Sequence, residues 1–305
     1  MSNVRKTAMT AGAVVGLALF STGAAAQCVS VDPVMVPDIR IDPLDATGAA
    51  QILQPLTLTF RRTQMGDEPI HVVYQILDED TDGQRVGVSA GPLVEWRSGR
   101  SGRDIGASRN QGPAMLHADE LNIGPHDSTE QAEVRLFVKN LREDLPAGVY
   151  REQFTIRYWC GNMERGLPVE LPGVIAVTVQ VPNVLSANIA GVSNQGQIDF
   201  LDFAALRRSL SVSVRSTGPY SVSAHSLNGS VMLRDGAPGD AAADRIPYTV
   251  AFGGQPVTLD SSPFKRARAG LDGQQIPLEV EVEDVSSKRA GEYSDTLVLT
   301  LTPVA

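Results

Sequence analysis

The feature that most restricts what this chain can become is that its last strand-forming stretch occurs twice. Gly291-Glu-Tyr293-Ser-Asp-Thr-Leu297-Val-Leu299-Thr-Leu301-Thr302 sets large apolar residues against Thr at every second position, the period of a β-strand with one buried face. Gly148-Val-Tyr150-Arg-Glu-Gln-Phe154-Thr-Ile156-Arg-Tyr158 opens with the same Gly-x-Tyr and carries the same kind of run. Two more echoes occur in the same order. Leu56-Thr-Leu58-Thr-Phe60-Arg61-Arg-Thr63 matches Leu210-Ser-Val212-Ser-Val214-Arg215-Ser-Thr217, and Val134-Arg-Leu136-Phe-Val138 matches Leu278-Glu-Val280-Glu-Val282. The chain therefore reads as two divergent tandem units. What differs is the sequel: Val174-Ile-Ala-Val-Thr-Val-Gln-Val181 follows the first copy, and no further strand follows the second. This predicts a second unit one strand short; the alternative, that the strand count is off by one and the unit closes itself, stays open at this stage.

Val, Thr and Ser are plentiful, Gly and Pro punctuate the chain, and long helix-periodic segments are absent. The expected fold class is all-β, two tandem immunoglobulin-like sandwiches with seven or eight short strands each. We expect strands over 29–36, 53–62, 70–77, 85–89, 92–96, 131–140, 149–160 and 173–181 in the first unit. In the second they are expected over 184–190, 209–215, 220–225, 230–234, 246–252, 256–260, 276–283 and 292–302. The units divide as 1–26, a leader; 27–181; and 182–305. Residues 97–128 show no periodicity and read as one long polar loop, functional or disordered. Tyr150 and Tyr293 fit either a tyrosine corner or plain half-buried strand positions.

Arg5 and Lys6 precede an apolar run from Ala8 to Phe20 and then Ala24-Ala25-Ala26, the pattern of a secretory signal peptide cut after Ala26. A lipidated Cys28 is rejected because Gln27 stands where a small residue is needed. No later segment reaches the roughly 18–20 apolar residues of a membrane-spanning helix. With 26 basic residues against 35 acidic ones, a net charge of −9, the chain is an unsuitable partner for nucleic acid or anionic membrane. In an exported compartment, the two cysteines, Cys28 and Cys160, are expected to form one disulfide.

The second unit carries Ile198-Asp-Phe200, Val214-Arg-Ser216, Pro219-Tyr220-Ser-Val222, Ser226-Leu-Asn-Gly229, Ile246-Pro-Tyr248 and Ala290-Gly291-Glu-Tyr293-Ser-Asp295 ahead of the closing strand. In these motifs and their order it resembles the spore coat protein U domain of archaic chaperone-usher pilus subunits. The resemblance covers most of 182–305; the first unit matches only loosely. It implies a pilin-like domain without its last strand, held by a periplasmic chaperone, passed to an outer-membrane usher and completed by a strand from the adjacent subunit. It also implies that a two-domain member is a tip adhesin, located at the cell surface in the fimbrium. One departure is that the second unit holds no cysteine, so its stability must come from packing.

A strand-accepting groove should be lined by Val184, Leu185, Ile189, Leu297, Leu299 and Leu301, since an unpaired edge over an uncovered core otherwise aggregates. Cys28, tethered by the disulfide, and Pro33 argue that the N-terminal segment receives no role as a donor. Adhesive contacts to an unknown surface receptor are expected from Arg97, Arg100, Arg103 and Arg109 with Met115 and Leu116, because Arg forks suit carboxylates; a merely solvated loop is the plainer reading. His71, His117, His126 and His225 are scattered without a ligand-like or triad-like neighbour set. Asp78-Glu-Asp80-Thr-Asp82-Gly83 lacks the bidentate Glu of a calcium loop and reads as an acidic turn. No catalytic residue, metal or cofactor is expected. The functional expectation is a non-enzymatic pilus tip subunit joined by donor-strand complementation. The competing readings are a secreted carbohydrate-binding or coat protein acting without a pilus, and a two-domain periplasmic chaperone.

Overall fold

The computed structural model describes residues 27–44, 51–64, 66–78, 85–87, 91–108, 115–139, 141, 144–164, 166–189, 194–237 and 241–304. The leader, Arg109 and the acidic turn at 79–84 lie outside them. The described chain is all-β. The first sandwich uses β1 (Val29–Val31), β2 (Val34–Met35), β3 (Ile39–Arg40), β4 (Ile52–Arg62), β5 (Ile70–Asp78), β6 (Leu93–Ser98), β7 (Gly106–Ser108), β8 (Asp119–Ile123), β9 (Thr129–Lys139), β10 (Gly148–Cys160) and β11 (Val169–Val181). The second uses β12 (Leu185–Ile189), β13 (Arg207–Ser216), β14 (Tyr220–Ser226), β15 (Val231–Arg234), β16 (Arg245–Phe252), β17 (Gln255–Val257), β18 (Phe264–Arg266), β19 (Gly270–Val282), β20 (Tyr293–Ser294) and β21 (Leu297–Pro303).

Each sandwich is two sheets closed on their inward-facing side chains, as alternation requires. In the first, β1-β4-β9-β6 faces β2-β11-β10-β5-β7, with β3 added to β11 and β8 to β5. In the second, β12-β13-β19-β16-β15-β20, with β17 on β16, faces β18-β14-β21. Two separate cores result, one around Leu58, Phe60, Tyr74, Trp96 and Phe154, the other around Val214, Tyr220, Val222, Ile246 and Phe252.

The echoes in the sequence are equivalent strands in register. Leu56 pairs with Val134 across β4 and β9, and their counterparts Leu210 and Leu278 pair across β13 and β19. The correspondence extends to β1 and β12, β5 and β14, and β10 and β21. Among the described residues nothing in the second sandwich corresponds to β11, β2 or β3.

Several boundaries differ from expectation. Residues 97–128 are no single loop: they finish β6, supply β7 and β8, and bury Ile105, Ala107, Ala118, Leu121 and Ile123. Those strands are short and mostly polar, so their alternation is too brief to read. The last stretch divides at Asp295-Thr296, where the Asp295 carboxylate leaves the strand to accept from Ser226 Oγ and Tyr248 OH, each at 2.6 Å. Strand 29–36 divides at Asp32-Pro33 because proline cannot donate to a ladder. Strand 85–89 is a single bridge at Arg85 within the described residues, and strands β3 and β18 were not anticipated.

Candidate functional site

The site begins with what stands beside β10 and what stands beside β21. Strand β10 is paired on one edge with β5 and on the other with β11, antiparallel from Gly148 opposite Val181 to Tyr158 opposite Val169. The outer edge of β11 is covered in turn by β2 and β3, which run parallel to it. Among the described residues strand β21 is paired with β14 alone and ends its sheet; β12 ends the facing sheet. A sandwich closed on this flank in the first unit is open on the same flank in the second.

Burial follows from that. Phe154, Ile156 and Tyr158 of β10 are 0% exposed, whereas Leu297, Leu299 and Leu301 of β21 are only half-buried against the second core. On the opposite wall Leu185, Ala187 and Ile189 of β12 are likewise half-buried, while Val29, the counterpart of Leu185, is fully covered. The structure thus brings together five of the six residues expected to line a groove. Val184 is the exception: it precedes β12, is not among the side chains on the second core, and serves through its backbone. Ala187 takes its place, a small residue that carries little hydrophobic signal in a sequence.

The end of this gap carries a second correspondence. In the first sandwich Cys28, just before β1, is bonded to Cys160 at the end of β10, with Cα atoms 6.2 Å apart. Thr63 N donates to Cys28 O at 3.0 Å. In the second, Thr217, the match of Thr63, donates its N–H to Val184 O at 3.1 Å, which equates Val184 with Cys28; the equal spacing of Cys160 after Tyr150 and of Pro303 after Tyr293 equates Pro303 with Cys160. Where the disulfide staples the first unit, Asn183 Nδ2 donates to Pro219 O at 3.0 Å and to Val304 O at 2.5 Å. Hydrogen bonds hold the second unit at the point where a covalent bond holds the first. The Asn183 amide lies over Gly218, where an added Cβ would stand 2.7 Å from it, so a side chain here would displace that amide. Neither Asn183 nor Thr217 was expected to matter, although the Thr63 and Thr217 match was visible.

Both tyrosines of the Gly-x-Tyr motif form the corner rather than plain strand positions. Tyr150 OH donates to Pro146 O at 2.7 Å, and Tyr293 OH donates to Arg289 O at 2.7 Å, each four residues upstream. Burial raises the pKa of Tyr150 above the ordinary phenol value, which keeps that hydroxyl a donor.

The residues expected to be adhesive are dispersed. Arg97 is engaged with Glu95 and lies 5.4 Å over the Phe137 ring. Arg100 and Arg103 are exposed and share a cleft of about 350 Å³ with Ser101, Asp119, Glu120 and Asn122, floored by Val73 and Ala118. Asp119 accepts from the buried Tyr74 OH at 3.2 Å. Leu116 is 82% exposed on the short turn opened by Met115. Among the described residues no group of three His, Cys, Asp or Glu is placed to hold a metal, and no helix is long and apolar enough to cross a membrane.

No family model matches the sequence, and no curated protein matches it. Among solved structures, the chain is similar to the CupB6 tip adhesin from Pseudomonas aeruginosa at 14% identity, over 91% of this chain and 95% of that one, TM-score 0.45. A structure of the Acinetobacter baumannii archaic Csu pilus chaperone CsuC with the tip subunit CsuE matches at 10% identity, over 90% of this chain and 99% of that one, TM-score 0.40. CfaE, the adhesive subunit of CFA/I fimbria of enterotoxigenic Escherichia coli, matches at 11% identity, over 90% and 94%, TM-score 0.41.

Proposed function

We propose that this chain is a non-enzymatic, exported pilus tip subunit, with the first sandwich binding a surface and the second accepting a strand from a neighbouring subunit of a chaperone-usher fibre. One observation carries the reading: among the described residues β21 has an unpaired edge beside half-buried Leu297, Leu299 and Leu301, across from Leu185, Ala187 and Ile189. A strand laid antiparallel on that edge supplies a row of backbone hydrogen bonds and covers the apolar walls. Four apolar side chains at roughly 1.5–3 kcal/mol each contribute on the order of 10 kcal/mol. A chaperone and an usher are the partners this incompleteness calls for, because an exposed edge over an uncovered core aggregates if it is not held. The segment that could donate in turn is already used: Cys28 is bridged to Cys160, β1 is paired with β4, and β2 and β3 with β11. A subunit that receives a strand but gives none from this segment suits the end of a fibre.

Target contacts are assigned to the cleft at Arg100 and Arg103. Arg100 and Arg103 offer guanidinium forks to a carboxylate of a glycan or surface, with the cleft's own Asp119 and Glu120 left for its hydroxyl or amide donors. Hydrogen exchange on the full chain, with and without a peptide carrying the sequence of β11, residues 169–181, tests the strand uptake. Protection is expected to rise over β12 and β21 and nowhere in the first sandwich. Amides of β21 that already exchange as slowly as those of β10 without peptide would refute it.

A further inference from the structure

This inference rests on the reading that β21 receives a strand, and it concerns the end from which that strand arrives. In the first sandwich β11 runs antiparallel to β10 with Val169 opposite Tyr158. The chain therefore reaches β11 through residues 161–168, from beyond the Cys28 to Cys160 bridge. By the correspondence of Cys160 with Pro303, the matching approach in the second sandwich lies beyond Pro303 and Val304. That space is a cavity of about 450 Å³ between the two sandwiches, lined by Arg40, Val149 and Gln180 from the first and Asn183, Pro219 and Val304 from the second. Its size falls in the range of about 300–1,000 Å³ typical of binding clefts.

The sandwiches themselves meet through polar contacts. Arg268 forks onto Asp144 with both nitrogens at 2.8 Å, Leu271 N donates to Asp144 Oδ1 at 2.9 Å, and Ala147 N donates to Thr217 O at 2.7 Å. Apolar surface at the same junction is left uncovered: Val149 is 50% exposed and forms the first-sandwich wall of the cavity.

We propose that this cavity seats the leading, N-terminal residues of the incoming strand, so that one peptide touches both sandwiches and fixes their mutual orientation. The occupant is an extended segment with an apolar side chain against Val149, Pro219 and Val304, and neutral or acidic at the Arg40 rim. A strand laid antiparallel on β21 reaches the cavity without turning, since each residue advances it by about 3.3 Å.

The test compares three synthetic peptides on the intact chain: the sequence of residues 169–181, whose first residue stands opposite Tyr158, the match of Leu301, the same with Leu-Val-Leu added at its N-terminus, and the same with Leu-Val-Leu added at its C-terminus. The N-terminal addition is expected to lower Kd about tenfold, the worth of one well-buried apolar side chain; the C-terminal addition is not. Val149→Arg should abolish that gain while leaving the affinity of the shortest peptide unchanged, which also shows that the variant folds. No binding of any peptide would sink the strand-uptake reading itself. Binding of the shortest peptide with no gain from the N-terminal addition, an equal gain from either addition, a gain that survives Val149→Arg, or weaker binding of the shortest peptide to that variant would overturn the cavity proposal alone.

Discussion

At the scale of single residues, the structure turns on side chains whose partners are close in space and remote in sequence. Tyr293 donates to Arg289 O and also lies 3.0 Å from Ala243 O, so Tyr293→Phe should cost about 0.5–1.5 kcal/mol, measured by denaturant unfolding of the full chain. The Gly-x-Tyr motif marked these positions, but a hydroxyl's acceptor depends on the path of the preceding turn, which no alternation reveals. Asp244 was not foreseen at all. Its carboxylate is 2% exposed, with Arg234 Nε at 2.7 Å and Arg289 Nη1 at 2.9 Å. The Arg234 hydrogen bond, opposed by burial and aided by Arg289, holds its pKa below the usual carboxylate value. Because the folded pKa is depressed, the stabilisation is complete above the unfolded value of about 3.9 and is lost as pH falls through the folded one. Asp244→Asn should therefore lower Tm at neutral pH and flatten its decline below about pH 4. A variant whose acid limb parallels that of the wild type would contradict this.

At the scale of elements, strands long enough to alternate over several residues were legible, and their pairing was legible wherever the repeat supplied a partner. Leu56 with Val134 and Leu210 with Leu278 are the same contact made twice. The short β7 and β8 were hidden because Gly106-Ala-Ser108 and Asp119-Glu-Leu121-Asn-Ile123 give too little alternation. Of the six residues named for a groove, five lie on β12 and β21 against the second core, and Val184 does not, because its placement depends on where β12 begins. The two faces of β21 make the groove testable: Leu299→Asp should abolish uptake of a strand peptide, whereas Val298→Lys, on the exposed face, should leave it unchanged, both read by peptide Kd. The match of Asn183, Val184 and Val304 to the disulfide end of the first sandwich makes a second prediction. Val184→Cys combined with Pro303→Cys should form a disulfide on oxidation and raise Tm; two thiols that remain free to titration would break the correspondence.

At the scale of the whole molecule, two sandwiches of one design differ in how they are finished. The first is closed by β11 and stapled by a disulfide spanning a sequence separation of 132, worth on the order of 4–5 kcal/mol in the chain-entropy model. Reduction should lower the unfolding transition of that sandwich and leave the other in place, to be read by calorimetry as two resolved transitions of which only one shifts. The tandem organisation was legible because the units repeat. The cavity between them was not, because it depends on how two folded bodies meet. The central claim is that the second sandwich lacks a strand that another chain provides. Its most direct measurement is the thermal unfolding of the chain with the sequence of β11, residues 169–181, fused after Ala305 through a short turn. A gain on the order of 10 kcal/mol should raise the second sandwich's transition by more than about 10 °C. The first sandwich's transition should not move. An unchanged transition for the second sandwich, in every register of the fused strand, would show that its edge needs no partner.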